Sequence, residues 1–366
     1  MRARIIAACR SAVVPRGGAF CALGLDALGA PVLRAVLAQA GITPEQVDEV
    51  ILSNALGGGG NPARLVALAA GLPERVAGLS IDRQCAGGLD ALLLAAAMVQ
   101  SGAADVVVAG GVESYSRRPL RLRTFADGSP PQPYDQPSFT PWPERDPDMV
   151  QAADTLAQTL GISRAAQDDW ASTSHAKACA SGPYANEIIA INGQTRDPFT
   201  RSLTPGLAAR AKPITGSITA ANMAVAADGA AFCVVVSEQL WHKLGREGVA
   251  LLGGATRGHA PDMPALAPLA AIEAALTTTG LKIDDITSAE IMEAFAVQAI
   301  ACVQGAGLDP NLVNTGGGAL ARGHPIGASG TINAVRLYHT LLAQGGTGLA
   351  AIAAAGGIAT ALILTA

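Results

Sequence analysis

One cysteine of the 366-residue chain stands where its thiol could act as a nucleophile. Cys85 lies in Ile81-Asp-Arg-Gln-Cys-Ala-Gly-Gly-Leu-Asp90, where a short strand leads into an apolar helix. At a helix N-terminus, unpaired N–H groups and the helix dipole lower the pKa of a thiol, so we expect Cys85 to ionise readily. The two glycines after it predict close approach of another chain segment or a ligand. The alternative is a buried structural cysteine, which is common in intracellular proteins.

One histidine has a comparable setting. His324 lies in Asn314-Thr-Gly-Gly-Gly-Ala-Leu-Ala-Arg-Gly-His-Pro-Ile-Gly-Ala-Ser-Gly330, where a Gly-rich segment ends and a helix begins directly after a proline. An imidazole near a thiol can serve as its general base, which makes the pair a candidate for nucleophilic catalysis. The other histidines lie in ordinary helical or loop contexts: His175, His242, His259 and His339.

The elements that must position these side chains follow an α/β pattern. Short strands rich in Val, Ile and Ala alternate with helices rich in Ala and Leu, which is typical of buried sheets covered by helices. In the first part of the chain these segments are Asp48–Asn54, Asn61–Gly71, Gly88–Ser101 and Asp105–Gly110. The same alternation returns after residue 247.

Landmarks of the first part recur in the last part at a nearly constant separation. A helix ends at Gly41 and another at Gly280, and each is followed by an acidic turn and a strand. The helix entrance Ala86-Gly-Gly88 corresponds to Ala328-Ser-Gly330. We infer two duplicated halves, whose two-fold packing would bring together the two helix entrances, one at Cys85 and the other at His324. The alternative is chance similarity between Ala/Gly-rich segments.

A region of different composition separates the halves. It is rich in Pro, Arg, Asp and Gln and contains two predicted helices, Met149–Leu160 and Arg164–Ala180. A long excursion from a sheet protein is often a cover over a pocket, although a surface insertion would have the same composition. We therefore divide the chain into residues 1–116 plus 214–246, an inserted region at 117–213, and residues 247–366.

Composition excludes several classes of protein. The net charge of −4 gives no basic surface for nucleic acid. The apolar runs are too short for a membrane span. The six cysteines are scattered without a CxxC pair, which argues against a metal site or a disulfide framework and favours a reducing cytoplasm. They are Cys9, Cys21, Cys85, Cys179, Cys233 and Cys302.

These motifs together resemble the thiolase superfamily, in order and over essentially the whole chain. The resemblance is carried by the nucleophile motif, the GGMESMS, GTVTAGN and DGAA segments, the last part of NEAFA and the GHPxGxxG block. In this chain they are Asp82–Gly88, Gly110–Ser116, Gly216–Asn222, Asp228–Ala231, Glu293–Ala296 and Gly323–Gly330.

The resemblance implies a five-layered α/β/α/β/α core of two duplicated halves, with a loop domain that binds coenzyme A. It implies dimers or tetramers and a role in lipid metabolism, with acyl-CoA or 3-ketoacyl-CoA as substrate and no further cofactor. Cys85 would carry the acyl group and His324 would activate it. Backbone N–H groups of Cys85 and Ala355 would form one oxyanion hole, and His324 would contribute to the other.

Four positions depart from the family pattern, and two of them, Ala353 and Met292, lie at the chemistry. Ala353 stands where thiolases have a second cysteine, and general acid–base assistance is typically worth about 10²–10⁴-fold. Met292 replaces an Asn that supports an oxyanion, and a thioether donates no hydrogen bond. Ala224 lacks a serine hydroxyl near the pantetheine, where Met223 and Phe295 are also expected to contact substrate. Ala355 replaces a glycine, which requires a negative φ there.

Three functions therefore stay open. The first is a thiolase-family CoA acyltransferase that works through an acyl-cysteine on Cys85. The second is a relative with partial chemistry, either thioester hydrolysis or decarboxylative condensation. The third is a non-catalytic subunit that binds CoA or supports an active partner subunit.

Overall fold

The structure is a computed structural model that describes residues 2–366. The strands are β1 Ala3–Ser11, β2 Val14–Pro15, β3 Glu49–Ser53, β4 Leu79–Ile81, β5 Val106–Glu113, β6 Arg121–Arg123, β7 Gln132–Tyr134, β8 Ile188–Ile189, β9 Pro213–Thr215, β10 Ile218–Thr219, β11 Ala227–Ser237, β12 Val249–Gly258, β13 Ser288–Ile291, β14 Thr347–Ala354 and β15 Ile358–Thr365. The helices are α1 Leu25–Ala40, α2 Pro62–Ala69, α3 Gly87–Gln100, α4 Met149–Leu160, α5 Arg164–Ser181, α6 Pro205–Ala209, α7 Glu238–Leu244, α8 Ala267–Thr279, α9 Ala296–Ala306, α10 Ala319–Arg322 and α11 Ile326–Gln344.

The large sheet repeats one strand order in each half of the chain. The order β3-β5-β11-β1 in the first half corresponds to β13-β14-β15-β12 in the second. In both, the first two strands are parallel and the next two pairings are antiparallel. The half-sheets join where β1 pairs with β12, with Ala3 opposite Leu251 and Ile5 opposite Val249. The predicted duplication is confirmed.

The turn that leads into the parallel strands is also duplicated. Helices α1 and α8 end at Gly41 and Gly280, which have φ values of 65° and 70°. Glycine adopts this left-handed conformation without the penalty that a Cβ imposes, so the chain can reverse sharply there. In each half a short 3₁₀ turn follows, at Pro44–Gln46 and Ile283–Asp285, and the strand then begins.

The core is layered. Helices α3 and α11 lie between the two half-sheets, where Leu92 and Val335 share one cluster with Val107 of β5 and Ile352 of β14. Helices α1 and α2 cover the outer face of the first half-sheet. Helices α8 and α9 cover the outer face of the second. The layers are therefore α/β/α/β/α, as the family resemblance implies.

The two central helices touch at their first turns through glycine. A Cβ placed on Gly88 would lie 2.5 Å from the backbone nitrogen of Thr331, and one on Gly330 would lie 2.7 Å from that of Leu89. Real Cβ atoms do not approach backbone so closely, so only glycine permits this crossing. The predicted close approach at the glycines after Cys85 is confirmed. It brings the entrances of α3 and α11 together.

The inserted region packs on the second half. Helix α4 covers α9, with Ala153 and Leu156 against Val297 and Ala301. The predicted bounds of α4 are confirmed, and α5 ends at Ser181, one residue after its predicted end. The division of the chain into three domains stays a prediction. No helix in the described part of the chain is both long and apolar enough to cross a membrane.

Candidate active site

A cavity of about 340 Å³ opens at the entrances of α3 and α11. One of its walls comes from the region 117–213, including Phe139 and Met149. The cavity brings together most of the residues that the sequence singled out, from both halves. Those that line it are Cys85, Met223, Ala224, Phe295, His324, Ala353 and Ala355.

The predicted nucleophile and base are in contact. The Sγ of Cys85 lies 3.1 Å from Nε2 of His324, and both side chains are half-buried. Cys85 lies in a 3₁₀ turn just before α3, and Gln84 before it has a φ of 50°. A non-glycine residue in this region is strained by about 1–3 kcal/mol and needs support from its surroundings. The Asp82 carboxylate provides it by accepting a 2.8 Å hydrogen bond from the Gln84 N–H.

The second nitrogen of His324 is held by a hydroxyl that was not among the residues predicted from the sequence. Nδ1 lies 2.6 Å from Oγ of Ser329, and this hydroxyl donates to the carbonyl of Pro325 at 3.0 Å. Because the hydroxyl proton is used there, Oγ accepts from Nδ1–H, and Nε2 is left as the acceptor that faces the thiol. The signal was present in the sequence as a serine in the first turn of the helix that follows His324.

The prediction that Cys85 ionises readily is wrong for this cavity. Burial raises the pKa of Cys85 to about 12, with smaller increases from the negative charges of Glu113 and Asp82, while its own N–H opposes the shift. Burial also lowers the pKa of His324 to about 4. Desolvation disfavours the charged form of either group and here outweighs the helix N-terminus. The pair is therefore a neutral thiol hydrogen-bonded to a neutral imidazole.

A buried carboxyl ties the two halves together beside this pair. Glu113, at the end of β5, accepts hydrogen bonds from the Asn54 side chain, from the N–H groups of residues 55 and 56, and from the N–H of Gly327. Burial raises the pKa of Glu113 to about 7, and the backbone donors oppose that rise. Because Gly327 lies in the first turn of α11, this contact fixes the helix start next to His324.

Two loops form the wall opposite the helices. The N–H of Ala224 donates to Ala294 O at 2.9 Å, and the N–H of Ala296 donates to Asn222 O at 2.9 Å. Met223 and Phe295 are thereby paired like residues of neighbouring antiparallel strands. Their position on the cavity wall agrees with the predicted location, and their contact with substrate stays a prediction.

The altered family positions differ in where they lie. Ala353, at the end of β14, lines the cavity with a methyl group. Ala355 also lines the cavity. It is not one of the non-glycine residues that have a positive φ within residues 2–366, which are Gln84, Asn186, Asn192 and Asn314. The condition of a negative φ at Ala355 is therefore met. Met292 does not line the cavity, because its side chain is buried in the core between the half-sheets.

Two polar side chains near the altered positions differ in whether all their hydrogen-bonding groups have partners. Glu293 is saturated, since it accepts from Trp170 Nε1, Ser174 Oγ, Asn314 Nδ2 and the N–H of Leu320. It acts as a structural anchor. Gln298 lines the cavity and accepts the Ala294 N–H through Oε1, whereas its buried Nε2 has no partner within residues 2–366. Gln298 was not among the residues predicted from the sequence.

Comparison with known proteins decides the family. Residues 3–239 match the family model described as "Thiolase, N-terminal domain", and residues 246–366 match "Thiolase, C-terminal domain". The chain belongs to the thiolase family. Within residues 2–366 no group of three or more His, Cys, Asp or Glu side chains is placed to hold a metal ion.

Similar thiolase-family proteins span nearly the full chain. "Putative acetyl-CoA C-acetyltransferase YhfS" of Bacillus subtilis is 40% identical over 348 residues, which is 92% of this chain and 91% of that protein. VraB of Staphylococcus aureus is also named a putative acetyl-CoA C-acetyltransferase, and it is 34% identical over 100% of this chain and 99% of its own length.

Two solved structures superimpose on the whole chain. The Bacillus anthracis acetyl-CoA acetyltransferase has a TM-score of 0.92 and 33% identity, and the match covers 100% of this chain and 98% of that one. Acat5 thiolase from Ascaris suum, solved in complex with coenzyme A, has a TM-score of 0.92 and 28% identity, and the match covers 100% of this chain and 100% of that one.

Proposed function

We propose that this thiolase-family chain is a CoA acyltransferase that carries its acyl group as a thioester on Cys85. The observation that carries the proposal is the 3.1 Å contact between Cys85 Sγ and His324 Nε2 inside a cavity. Ser329 leaves Nε2 as the acceptor, which is the state that a general base needs. The names of YhfS and VraB and the coenzyme A bound to the Ascaris thiolase support an acyl-CoA substrate.

The first step is acyl transfer from CoA to the enzyme. His324 Nε2 takes the thiol proton as Cys85 Sγ attacks the thioester carbonyl, so that an Sγ–C bond forms. The C–S bond to CoA then breaks, and the departing sulfur receives the proton from His324. We propose that the N–H groups of Cys85 and Ala355 hold the carbonyl oxygen while it carries negative charge, and that His324 helps to hold the oxygen in the second half-reaction.

Cleavage of a 3-ketoacyl-CoA requires a proton donor for the departing carbanion in addition to the nucleophile. Attack of Sγ on the C3 carbonyl breaks the C2–C3 bond, and the departing acetyl-CoA carbanion must receive a proton. Ala353 has no proton to give, which leaves the protonated His324 as the donor on this chain. This favours a second candidate function, in which an acyl group is loaded on Cys85 without cleavage of a carbon–carbon bond. The acyl group would then pass to water or another thiol, or condense with a substrate that loses CO2.

The mouth of the cavity suits a CoA thioester. Arg118 and Arg121 lie at the rim, contributed by the predicted cover of residues 117–213, and Arg118 pairs with Asp135 at 3.0 Å. Met223, Ala224 and Phe295 would lie along the pantetheine. We propose that the covering segment binds CoA in this way. The six cysteines are free thiols, which is consistent with a reducing cytoplasm as the working compartment.

We propose that two copies of the chain associate at the β4 edge. Strand β4 ends the large sheet and pairs only with β3 among the described strands. An exposed sheet edge can pair with a strand of another chain. Leucines lie on and beside the β4 edge. They are Leu65, Leu68, Leu79 and Leu94, each between 41% and 50% exposed. A two-fold dimer would place the same edge on both partners and cover these side chains.

One experiment separates the candidate functions. The protein is incubated with acetyl-CoA or acetoacetyl-CoA, and intact mass, free CoA and ketoacyl-CoA are followed. Cys85→Ala tests the nucleophile, and Cys21→Ala is the matched control because Cys21 is an exposed thiol away from the cavity. An acetyl adduct that Cys85→Ala abolishes, with ketoacyl-CoA turnover, supports the acyltransferase.

The other outcomes are equally distinct. An adduct and release of CoA without any change in ketoacyl-CoA supports the second candidate. If neither substrate acylates the protein, both catalytic candidates fail, and a CoA-binding subunit that supports a partner is left. In that case binding of CoA, measured by calorimetry, would still be expected.

A further inference from the structure

A second cavity, of about 440 Å³, lies apart from the candidate active site. It is enclosed by the end of α5, the loop 194–200, Gly316 in the glycine-rich segment before α10, and one side of α11. It shares no lining residue with the cavity that contains Cys85 and His324. An inference about this cavity therefore does not rest on the acyl-transfer proposal.

The lining of this cavity is strongly basic. It contains the guanidinium groups of Arg10, Arg196, Arg322 and Arg336. Arg10, Arg322 and Arg336 are only 1%, 3% and 2% exposed. A buried charge is unfavourable by several kcal/mol unless it is paired and hydrogen-bonded. Partners for these groups are therefore expected, on the protein or on a ligand.

Arg10 finds all its partners on the protein. Its Nε donates to Glu187 at 2.7 Å, and Nη1 and Nη2 form a bidentate pair with Asp197 at 2.8 and 2.9 Å. Asp197 also accepts the N–H of Val13 at 2.8 Å. The one carboxylate that lines the cavity is thus already engaged by a neighbouring arginine.

Arg336 is only partly satisfied. Both of its hydrogen bonds come from Nη1, at 2.6 Å to Glu187 and 3.4 Å to the carbonyl of Gly182. Its Nε is buried and has no partner in the described part of the chain. A Cβ on Gly316 would overlap Nη2, which shows that the guanidinium lies against the cavity wall that Gly316 forms.

Arg322 is also incompletely paired. Nη1 donates to the carbonyl of Gly317, and Nη2 lies 3.8 Å from Glu290, beyond hydrogen-bonding distance. The facing oxygen of Glu290 has no partner among residues 2–366. Burial raises the pKa of Glu290 to about 7, so its negative charge is partial at neutral pH. Arg322 therefore lacks a full counter-charge.

We propose that this basic cavity binds a small, multiply charged oxyanion, either a phosphate group or a di- or tricarboxylate. Four arginines face three carboxylates, Glu187, Asp197 and Glu290, which leaves one surplus positive charge. Arg322 and Arg336 supply donors inside the cavity, and the exposed Arg196 supplies one at its rim. Guanidinium groups match the oxygen geometry of phosphate and carboxylate, which makes oxyanions the preferred class of ligand.

The test measures thermal unfolding and calorimetric binding with inorganic phosphate and with citrate, in separate titrations at constant ionic strength balanced with NaCl. Saturable stabilisation by either anion is expected, because a ligand that binds only the folded state raises its stability with concentration. Citrate and phosphate together distinguish a carboxylate site from a phosphate site. Arg196→Glu, which changes only an exposed rim residue, is expected to weaken binding about tenfold or more.

Arg201→Glu is the matched control. It makes the same charge change on an exposed arginine of the neighbouring segment that does not line the cavity, and binding should be unchanged. Arg322→Gln should abolish saturable binding if the variant folds. The proposal is overturned if neither anion binds saturably to the wild-type chain. It is equally overturned if Arg196→Glu and Arg201→Glu weaken binding to the same extent, because general surface charge would then explain the effect.

Discussion

The hydroxyl of Ser329 lies 2.6 Å from Nδ1 of His324, on the side of the ring opposite to Cys85. Its own proton is committed to the carbonyl of Pro325, so it can only accept from the imidazole. The result is a directed chain of hydrogen bonds that runs from the thiol through the imidazole to the hydroxyl and the helix backbone. This chain sets the proton-accepting nitrogen before any substrate binds.

Ser329→Ala should slow the acylation of Cys85 by about 10- to 100-fold, which corresponds to the loss of about 1–3 kcal/mol for a buried donor left without its acceptor. The imidazole would lose the contact that selects its tautomer. The measurement is a single-turnover rate of acetyl-enzyme formation by quenched intact-mass analysis.

Thr340→Ala is the control for that substitution, because Thr340 also donates to a carbonyl four residues earlier in α11, at Arg336 O, but lies away from the active-site cavity. Its acylation rate should stay near wild type. Equal rates in Ser329→Ala and wild type would show that the hydroxyl does not orient the base.

The acylation rate should be nearly independent of pH between about 5 and 9. His324 has a lowered pKa of about 4, so its accepting, neutral form persists until the pH falls close to that value. Cys85 has a raised pKa of about 12, so direct ionisation contributes little thiolate below that range. Single-turnover rates across this interval test the prediction, with Cys85→Ala as the blank. A tenfold fall between pH 7.5 and 5.5 would instead show that His324 becomes protonated within this interval, with a pKa near the ordinary value of histidine.

Ala353→Cys should raise cleavage of acetoacetyl-CoA by about tenfold or more, because it would add a group able to move a proton where general acid–base help is worth about 10²–10⁴-fold. The loading of Cys85 from acetyl-CoA should change much less. Ala353 lines the cavity, so a larger side chain would project into open space. The assay is disappearance of ketoacyl-CoA in the presence of free CoA.

Ala353→Ser is the matched control, since it adds a side chain of similar size with a hydroxyl that does not ionise in this range. If the serine and cysteine variants gain activity equally, the effect is one of packing. If neither gains, the proton reaches the carbanion from elsewhere, with His324 as the first group to test.

Leu79→Lys should convert a dimer into a monomer, because it places a charge on an edge strand that we propose to pair with a second copy. Light scattering coupled to size exclusion measures the mass at equal protein concentration. Leu207→Lys is the control, since Leu207 is 49% exposed on α6 and does not belong to the β4 edge. A dimer that survives in Leu79→Lys would place the interface elsewhere.

Much of the fold could be read from local pattern. The helices end at the predicted glycines, Gly41 and Gly280, and the helix at Met149–Leu160 has the predicted bounds. These features depend on φ preference, capping and periodicity, which are properties of a few neighbouring residues. The identity of Cys85 and His324 as partners followed from the matching of two halves, whose symmetry is visible along the chain.

Other features could not be read in this way. The pKa of Cys85 depends on how completely the cavity walls exclude water, and the helix N-terminus that the sequence reveals is the weaker influence. Met292 was expected to remove a hydrogen-bond donor from the site, and the structure shows that its side chain packs into the core. The contact of Ser329 with His324 depends on the rotation of an imidazole at a helix entrance. Each of these depends on packing between distant segments.

The sequence by itself determined the family, the duplicated α/β architecture, the pair Cys85 and His324, and the absence of an ionisable side chain at position 353. These follow from residue identity and order. Only the tertiary structure decided the charge state of the pair, the serine behind the histidine, and the gathering of Arg322 and Arg336 around a second cavity. Solvation and hydrogen-bond partners depend on three-dimensional neighbours, and residues far apart along the chain supply most of them here.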